Sequence, residues 1–265
     1  MTCRLSIITP VFNGARFMES CIKNVIDQQC TEAEHIIIDG GSTDATAVII
    51  RRYAAEHPHI RWISEPDRGQ SDAMNKGIVM ASGSIVGFLN VDDFYEPGAV
   101  NEALELFSDL PEPSLLVGNC NVWEGGDILQ GVGKPYGIGL LNLLCARVAI
   151  SFPLNPSSYF YHRSAHDRIG LYDVEEHYGM DVHFIIKAVQ ACNIKYVDRL
   201  WGNLRYLPGT KTYQDVKSGQ NRIRVGSIIA FYRRQAPLHF RIFSMVYVNL
   251  VKMYKLCLRM MGRGK

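Results

Sequence analysis

The sequence predicts an α/β fold: a mostly parallel sheet flanked by helices, with a helical extension at the C-terminus. Three observations carry this. Over the first 100 residues short apolar runs alternate with segments of helical spacing, the pattern of a parallel sheet with helical crossovers. Polar residues collect just after each apolar run. From Lys217 onward the chain holds 11 Lys and Arg and no Asp or Glu.

The elements follow in order. Leu5 to Thr9 is a strand, stopped by Pro10. Ala15 to Gln28 has helical spacing through Phe17, Cys21, Val25 and Ile26. His35 to Ile38 is a second strand, bounded by Asp39-Gly40-Gly41, and Asp44 can cap a helix through Val48, Ile49 and Tyr53. Ile60 to Ile63 is a third strand. Ser71 or Asp72 opens a helix through Met74, Ile78 and Val79, and Ile85 to Leu89 is a fourth strand. Pro97 suits the start of a helix to Leu106. Leu115 to Val117 reads as a strand, and Gly125 to Gly139 as a Gly-rich loop. Met180 to Ala191 is a helix with Val182, Ile185, Ile186 and Val189 on one side, and Thr212 to Tyr232 is expected to be another. There is no internal repeat and no linker to a second independent domain. The expected division is a catalytic unit over 1–215, with halves of about 1–100 and 101–215, and a basic tail over 216–265.

Composition excludes several classes. With 265 residues, 47% hydrophobic and 20% charged, the chain can build a real core. The net charge of +2 hides an asymmetry, because residues 1–216 hold 17 basic and 26 acidic residues, a net of −9. A uniformly basic nucleic-acid module is therefore disfavoured, and no nucleic-acid partner is expected. Seven scattered cysteines show no metal-like spacing, and the odd number, with no leader before Leu5, suggests a reducing cytoplasmic compartment. No apolar stretch reaches 18 residues, so no spanning helix is indicated.

The chemistry sits at the strand ends, where open parallel sheets form their ligand crevice. Pro10 and Asn13 follow the first strand, Asp39 the second, Glu65, Asp67 and Arg68 the third, and Asp92 and Asp93 the fourth. In Asn90-Val91-Asp92-Asp93 two adjacent carboxylates repel unless a cation or donor neutralises them. Hard oxygen ligands suit Mg²⁺ or Mn²⁺ bridging to substrate phosphates; a helix cap before Pro97 is the other reading. A dinucleotide fold is excluded, because Thr9-Pro10-Val11-Phe12-Asn13-Gly14 stands where G-x-G-x-x-G belongs. No phosphate loop, G-x-S-x-G elbow or H-E-x-x-H zinc motif occurs, and His177 and His183 are six residues apart, off the spacing of a helical ligand pair.

Four stretches together carry a family pattern: Ser6-Ile7-Ile8-Thr9-Pro10-Val11-Phe12-Asn13, Ile38-Asp39-Gly40-Gly41-Ser42-Thr43-Asp44, Ser64-Glu65-Pro66-Asp67-Arg68-Gly69-Gln70-Ser71-Asp72-Ala73-Met74-Asn75-Lys76-Gly77, and Leu89-Asn90-Val91-Asp92-Asp93. In order and spacing the chain resembles the inverting family 2 glycosyltransferases, which have a GT-A type fold. The likeness continues more loosely through Tyr178-Gly179-Met180-Asp181 and Leu204 to Thr212. The resemblance implies that Pro10, Val11 and Asn13 line a nucleotide pocket and that Asp39 bonds the base, most often uracil. It implies that Asp67, Arg68 and Lys76 shape the pocket around base, ribose and diphosphate. Asp92 would lie near ribose and metal, Asp93 would be the principal ligand of Mn²⁺ or Mg²⁺, and Asp181 would be the general base. Two departures stand out: Gly40 replaces a frequent second acid, and Asn90 another.

The implied mechanism is a single displacement. A divalent ion at Asp93 would stabilise charge on a diphosphate leaving group. Asp181 would take the proton of an acceptor hydroxyl attacking from the opposite face; the plainer reading of Asp181 is an acid at a helix N-terminus. Arg205, Lys211 and Thr212 are either diphosphate contacts or a solvated turn around Pro208-Gly209. His183 is either an acceptor or phosphate contact or a local structural group. Tyr159, Tyr161, His162 and Arg163 either border the acceptor or pack in the core.

In the tail, Arg241, Lys252, Lys255 and Arg259 fall close to one line of a helix, beside a broad apolar face from Ile242 to Met260. Such a helix suits the inner surface of a membrane with anionic lipid. Packing on the catalytic unit or in a homo-oligomer are the alternatives. Together these expectations describe a cytoplasmic, peripheral enzyme passing sugar from a UDP-linked donor to a lipid-linked glycan in bacterial surface-polysaccharide synthesis. The contrasting reading is a non-catalytic nucleotide-sugar-binding or scaffold protein.

Overall fold

The computed structural model describes residues 3–125, 127–135, 137–145, 152–153 and 155–262, with side chains past Leu250 described only at Met253. The first half alternates as expected: β1 (Leu5–Val11), α1 (Ala15–Ile26), β2 (Ala33–Asp39), α2 (Thr46–Glu56), β3 (Ile60–Ser64), α3 (Gln70–Met80) and β4 (Ile85–Phe88). Then come β5 (Phe94–Tyr95), α4 (Ala99–Phe107), β6 (Ser114–Glu124), β7 (Ile128–Gly133) and α5 (Leu140–Leu144). A 3₁₀ turn (Pro156–Ser158) precedes β8 (Tyr159–His162), α6 (Ala165–Ile169), α7 (Met180–Ala191) and β9 (Asn193–Tyr206). The chain closes with α8 (Lys211–Lys217), α9 (Gln220–Gln235) and α10 (Leu238–Gly262).

The described strands form one nine-stranded sheet in the order β3-β2-β1-β4-β8-β6-β9-β5, with β7 also on β6. β1 to β4 pair in parallel; β8 runs antiparallel between β4 and β6, and β9 is parallel to β6. Because side chains alternate across a strand, neighbouring residues serve opposite faces. Ile8, Ile36 and Leu115 face a core closed by α3, α7 and α9. Ile7, Ile37 and Leu116 face a second core closed by α1, α2 and α4. Asp44 does more than cap one helix: it accepts from the N–H of Thr46 (2.9 Å) and of Ala15 (3.1 Å), tying the starts of α2 and α1 together.

Several expectations are corrected. The Gly125–Gly139 stretch is not all loop, because β7 turns back onto β6 around a bulge at Val122. β9, eleven-residue β6 and β8 complete a sheet of which only Leu115–Val117 was expected in this half. The helix expected over Thr212–Tyr232 is two, broken at Gly219, whose φ of 76° lies in the left-handed region that glycine tolerates. The expected boundary after residue 215 falls inside α8, and Ile228 and Ile229 of α9 are part of the core, so the chain beyond 215 is not a detached tail.

α10 shows the expected exposed apolar face at Leu238, Ile242, Phe243, Met245, Val246, Leu250 and Met253. Arg241 is exposed beside it, whereas the rest of the expected stripe, Lys252, Lys255 and Arg259, and the apolar Val251, Leu256, Leu258 and Met260 lie outside the described side chains. No described helix is long and apolar enough to cross a membrane.

Gly202, in β9, lies hard against the 3₁₀ turn: a methyl there would sit 2.8 Å from the Ser157 carbonyl carbon and 2.9 Å from the Ser158 nitrogen. Both are backbone atoms and cannot swing aside. Gly202→Ala is expected to cost about 1–3 kcal/mol, read as a lowered midpoint in urea unfolding.

Candidate active site

Two groups of residues form at the C-terminal edge of the parallel strands. The first holds most of the expected nucleotide residues. Asn13, in the left-handed region at φ 51°, donates its N–H to the Ser42 hydroxyl (2.7 Å) and accepts the Thr43 N–H on Oδ1 (2.9 Å). Ser42 in turn donates to Asp39, which also accepts from the Ser64 hydroxyl at 2.6 Å. Asp39 is fully buried at the end of β2, and Pro10 and Val11 are buried at the end of β1. Asp67 accepts the Gly69 N–H at 2.8 Å, and its carboxylate fills the space a side chain at Gly40 would need. Lys76 pairs with Glu65 (2.8 Å) and lies 3.8 Å from Asp72, while the exposed Arg68 reaches Asp72 at 3.6 Å.

The second group surrounds a cavity of about 350 Å³ that brings Asp92, Asp93, Asp181, Arg205, Lys211 and Thr212 together. Asp93 is its buried anchor. One carboxylate oxygen accepts from the amides of Asn155 (2.7 Å) and Asn90 (3.0 Å), and the other from the Arg205 N–H (2.9 Å). Burial, and then the neighbouring Asp92 charge, push its carboxyl up. Asp92 is also raised by burial, opposed by the Arg205 guanidinium. That guanidinium donates to the Asp92 carbonyl (3.1 Å) and lies 4.5 Å over the Phe94 ring.

These surroundings suit a divalent cation, with one change of emphasis. Two carboxylates raised together favour a positive partner, and their oxygens are hard ligands. But Asp93, expected to be the principal ligand, already accepts three N–H groups. Among the described residues Asp92 meets no donor from another side chain, so it offers the freer oxygens. Among the described residues no group of three or more His, Cys, Asp or Glu side chains is placed to hold a metal ion.

Asp181 stands in the first turn of α7 and lines the same cavity. Its Oδ1 is sealed from solvent with no hydrogen-bond partner. Burial pushes the carboxyl up to about 6, with the Lys211 charge opposing. A buried, unpartnered carboxylate titrating near neutrality is the profile of a proton acceptor. Lys211 itself donates to the His177 carbonyl and lies 4.3 Å over the Tyr178 ring, its own pKa lowered by burial.

His183 does not join this cavity. Two residues on from Asp181 it points to another side of α7, and it lines a separate cavity. Tyr159 lines the Asp181 cavity, whereas Tyr161 and His162 are buried, His162 against the Phe107 ring at 4.9 Å. Sequence reasoning missed Gln70, which donates to Asn90 (3.1 Å), and Asn155, which holds Asp93. The second had a signal: Asn155-Pro156-Ser157 is a turn signature, and the Asn155 side chain caps the Ser157 N–H.

With this geometry in view, the relatives are informative. The family model described as glycosyl transferase family 2 matches residues 6–133. An uncharacterized glycosyltransferase of Mycobacterium tuberculosis is 33% identical over 193 residues, which span 71% of this chain and 70% of that protein. The chain belongs to glycosyltransferase family 2. The chondroitin synthase of Escherichia coli is 33% identical over 127 residues, but these span 48% of this chain and only 18% of that much longer protein. In fold, this family 2 member is similar to Staphylococcus aureus TarS 1-349 in complex with UDP-GlcNAc, with a TM-score of 0.71 at 19% identity, covering 92% of this chain and 70% of that one. It is also similar to a mannosyltransferase of Pyrobaculum calidifontis in complex with GDP-Man and Mn²⁺, with a TM-score of 0.67 at 19% identity, covering 94% and 70%. The GT-A architecture expected from the sequence is thus the one found.

The raised pKa of Asp181 has a stability consequence. Its carboxyl ionises at about 6 in the fold against the ordinary 3.8, so ionisation penalises the folded state. The penalty is absent below the lower value and complete above the higher. Asp181→Asn is expected to be more stable than the parent in urea at pH 7.5, with the margin closing as pH falls to about 4.

Proposed function

We propose that this chain transfers a sugar from a nucleotide-sugar, UDP-linked, to an acceptor hydroxyl with inversion. The observation that carries the reading is Asp181: a half-buried carboxylate, its Oδ1 sealed and without a partner, lining the same cavity as Asp92 and Arg205. Asp181 accepts the proton of the attacking hydroxyl, and its pKa near 6 leaves it ionised at neutral pH yet basic enough to help. Arg205, fixed over Phe94, and Lys211 place positive charge beside the leaving diphosphate. A divalent ion, Mn²⁺ or Mg²⁺, would be held by Asp92 and Asp93, and would supply Lewis-acid stabilisation of the diphosphate. Asp39, Asn13, Pro10 and Val11 form the nucleotide pocket, with Asp67, Arg68 and Lys76 along its edge. Thr212 lies on the acceptor side of the cavity.

The acceptor in this reading is a lipid-linked glycan of surface-polysaccharide synthesis. Support comes from polysaccharide-making relatives such as the chondroitin synthase, and from the apolar and basic character of α10. The helix lies in the interface of an anionic membrane, its apolar face inward.

The test of the chemistry is nucleotide release across a panel of UDP-, GDP- and dTDP-sugars, with Mn²⁺ or Mg²⁺ and with chelator. Release from one donor, abolished by chelator, is expected. Asp181→Ala is expected to bind that donor normally and to lose about 10²–10⁴-fold in transfer. The parent rate should rise with pH through about 6, the direction required for an ionised base. Near-normal transfer by Asp181→Ala would remove the base assignment. For the membrane, co-sedimentation with phosphatidylglycerol vesicles is expected and should weaken in Ile242→Glu/Leu250→Glu; binding unchanged by those charges would exclude the α10 face.

A further inference from the structure

A second cavity, of about 260 Å³, lies on the other side of α7 from the Asp181 cavity. The segment from Asp173 to Gly179 is the partition. His177 and Tyr178 face the Asp181 cavity, Asp173 and Glu176 face the second one, and Met180 borders both.

The second cavity has a built hydrogen-bonding corner. One oxygen of Glu176 accepts the N–H of Gly179 (2.8 Å) and of Tyr178 (2.9 Å), so the carboxylate is held rigidly. The other lies 3.8 Å from Nε2 of His183, too far for a direct hydrogen bond. The His183 ring is fixed from behind, its Nδ1 2.9 Å from the Tyr232 hydroxyl. Burial lowers the His183 pKa, which favours the neutral ring. With Tyr232 donating to Nδ1, Nε2 carries the proton. A hydroxyl placed between the two residues would accept from Nε2 and donate to Glu176. The opposite wall is apolar: Phe231 is 51% exposed and Leu171 45% exposed, so both present open faces.

We infer that this cavity binds a sugar residue of the acceptor glycan. A polar corner that reads a hydroxyl opposite an exposed aromatic matches the two sides of a pyranose, whose hydroxyls ring a C–H face. Lys187 and Asp173 at the margin offset one another and leave the Glu176 carboxylate to accept from a sugar hydroxyl. The inference rests on the proposed transferase reading, yet the sugar site can be tested without turnover.

The experiment is saturation-transfer NMR on the full chain, with methyl β-glycosides of glucose, galactose, N-acetylglucosamine and N-acetylgalactosamine as probes. At least one glycoside is expected to bind saturably. Phe231→Ala is expected to weaken it about tenfold, and His183→Phe to weaken it similarly while keeping the ring volume. UDP binding, measured alongside, should be unchanged in both, which reports an intact fold. Four outcomes would overturn the inference. They are no saturable binding of any glycoside, binding indifferent to both substitutions, displacement of the glycoside by UDP alone, and binding at this cavity of farnesyl phosphate but no glycoside. Loss of transfer with the glycoside site intact would instead count against the transferase reading.

Discussion

The carboxylate of Asp93 is the constraint on which the site depends. It lies just past β4, almost wholly buried, and charge in such a place is costly unless it is hydrogen-bonded. Three donors meet that demand: the nearby amide of Asn90 and, from distant parts of the chain, the amide of Asn155 and the N–H of Arg205. One carboxylate therefore joins the parallel half to the 3₁₀ turn before β8 and to the end of β9. Arg205, once held there by its backbone, directs its guanidinium to the Asp92 carbonyl and the Phe94 face. The close approach of Gly202 to the same turn holds β9 in that position.

The sheet explains why this anchor can exist. β8 runs antiparallel between β4 and β6, so the chain entering β8 arrives at the same edge that β4 leaves. That places Asn155 over Asp93. β9 runs parallel to β6 and ends at the same edge, delivering Arg205. α7 packs on the face formed by Ile8, Val86 and Tyr159, so its first turn brings Asp181 to the rim. Asp181 lacks the set of donors that Asp93 has; its Oδ1 is left without a partner, and burial raises its pKa against the opposing Lys211 charge.

The first half was legible because its signals are local. Continuous runs such as Ile36-Ile37-Ile38 mark strands buried on both faces, and the polar residues that follow them mark the crevice. α7 was legible for the same reason, its apolar spacing being regular. β9 was not: most of its side chains are partly or fully exposed, and only Trp201, Gly202 and Asn203 are buried in it, so it lacks an apolar signature. Its place is fixed by pairing with β6, a long-range fact no window of sequence holds. The break at Gly219 was missed because the apolar residues on either side, Val216 and Ile223, keep helical spacing across it. The roles of Asn155 and Gln70 were missed because each acts on a residue far away in the chain. Asp93 was recognised as an acid at the site, but two of its three donors, Asn155 and Arg205, come from tertiary structure.

The chain after residue 215 reads in sequence as an appendage, and its physics says otherwise. Val216, Asn221 and Val225 line the Asp181 cavity, and Ile228 and Ile229 are buried in the core. Asp215 is buried with Arg224 of the next helix as its ion-pair partner. The Tyr178 ring lies between Lys211 and Arg224, 4.3 and 4.2 Å from its centroid, so α8 and α9 together hold the partition that precedes the base helix. The same α9 supplies Tyr232 to His183 and Phe231 to the second cavity. Beyond Pro237 the character changes: the helices that line the cavities give way to α10, whose described side chains Leu238, Ile242, Phe243, Met245, Val246, Leu250 and Met253 are exposed.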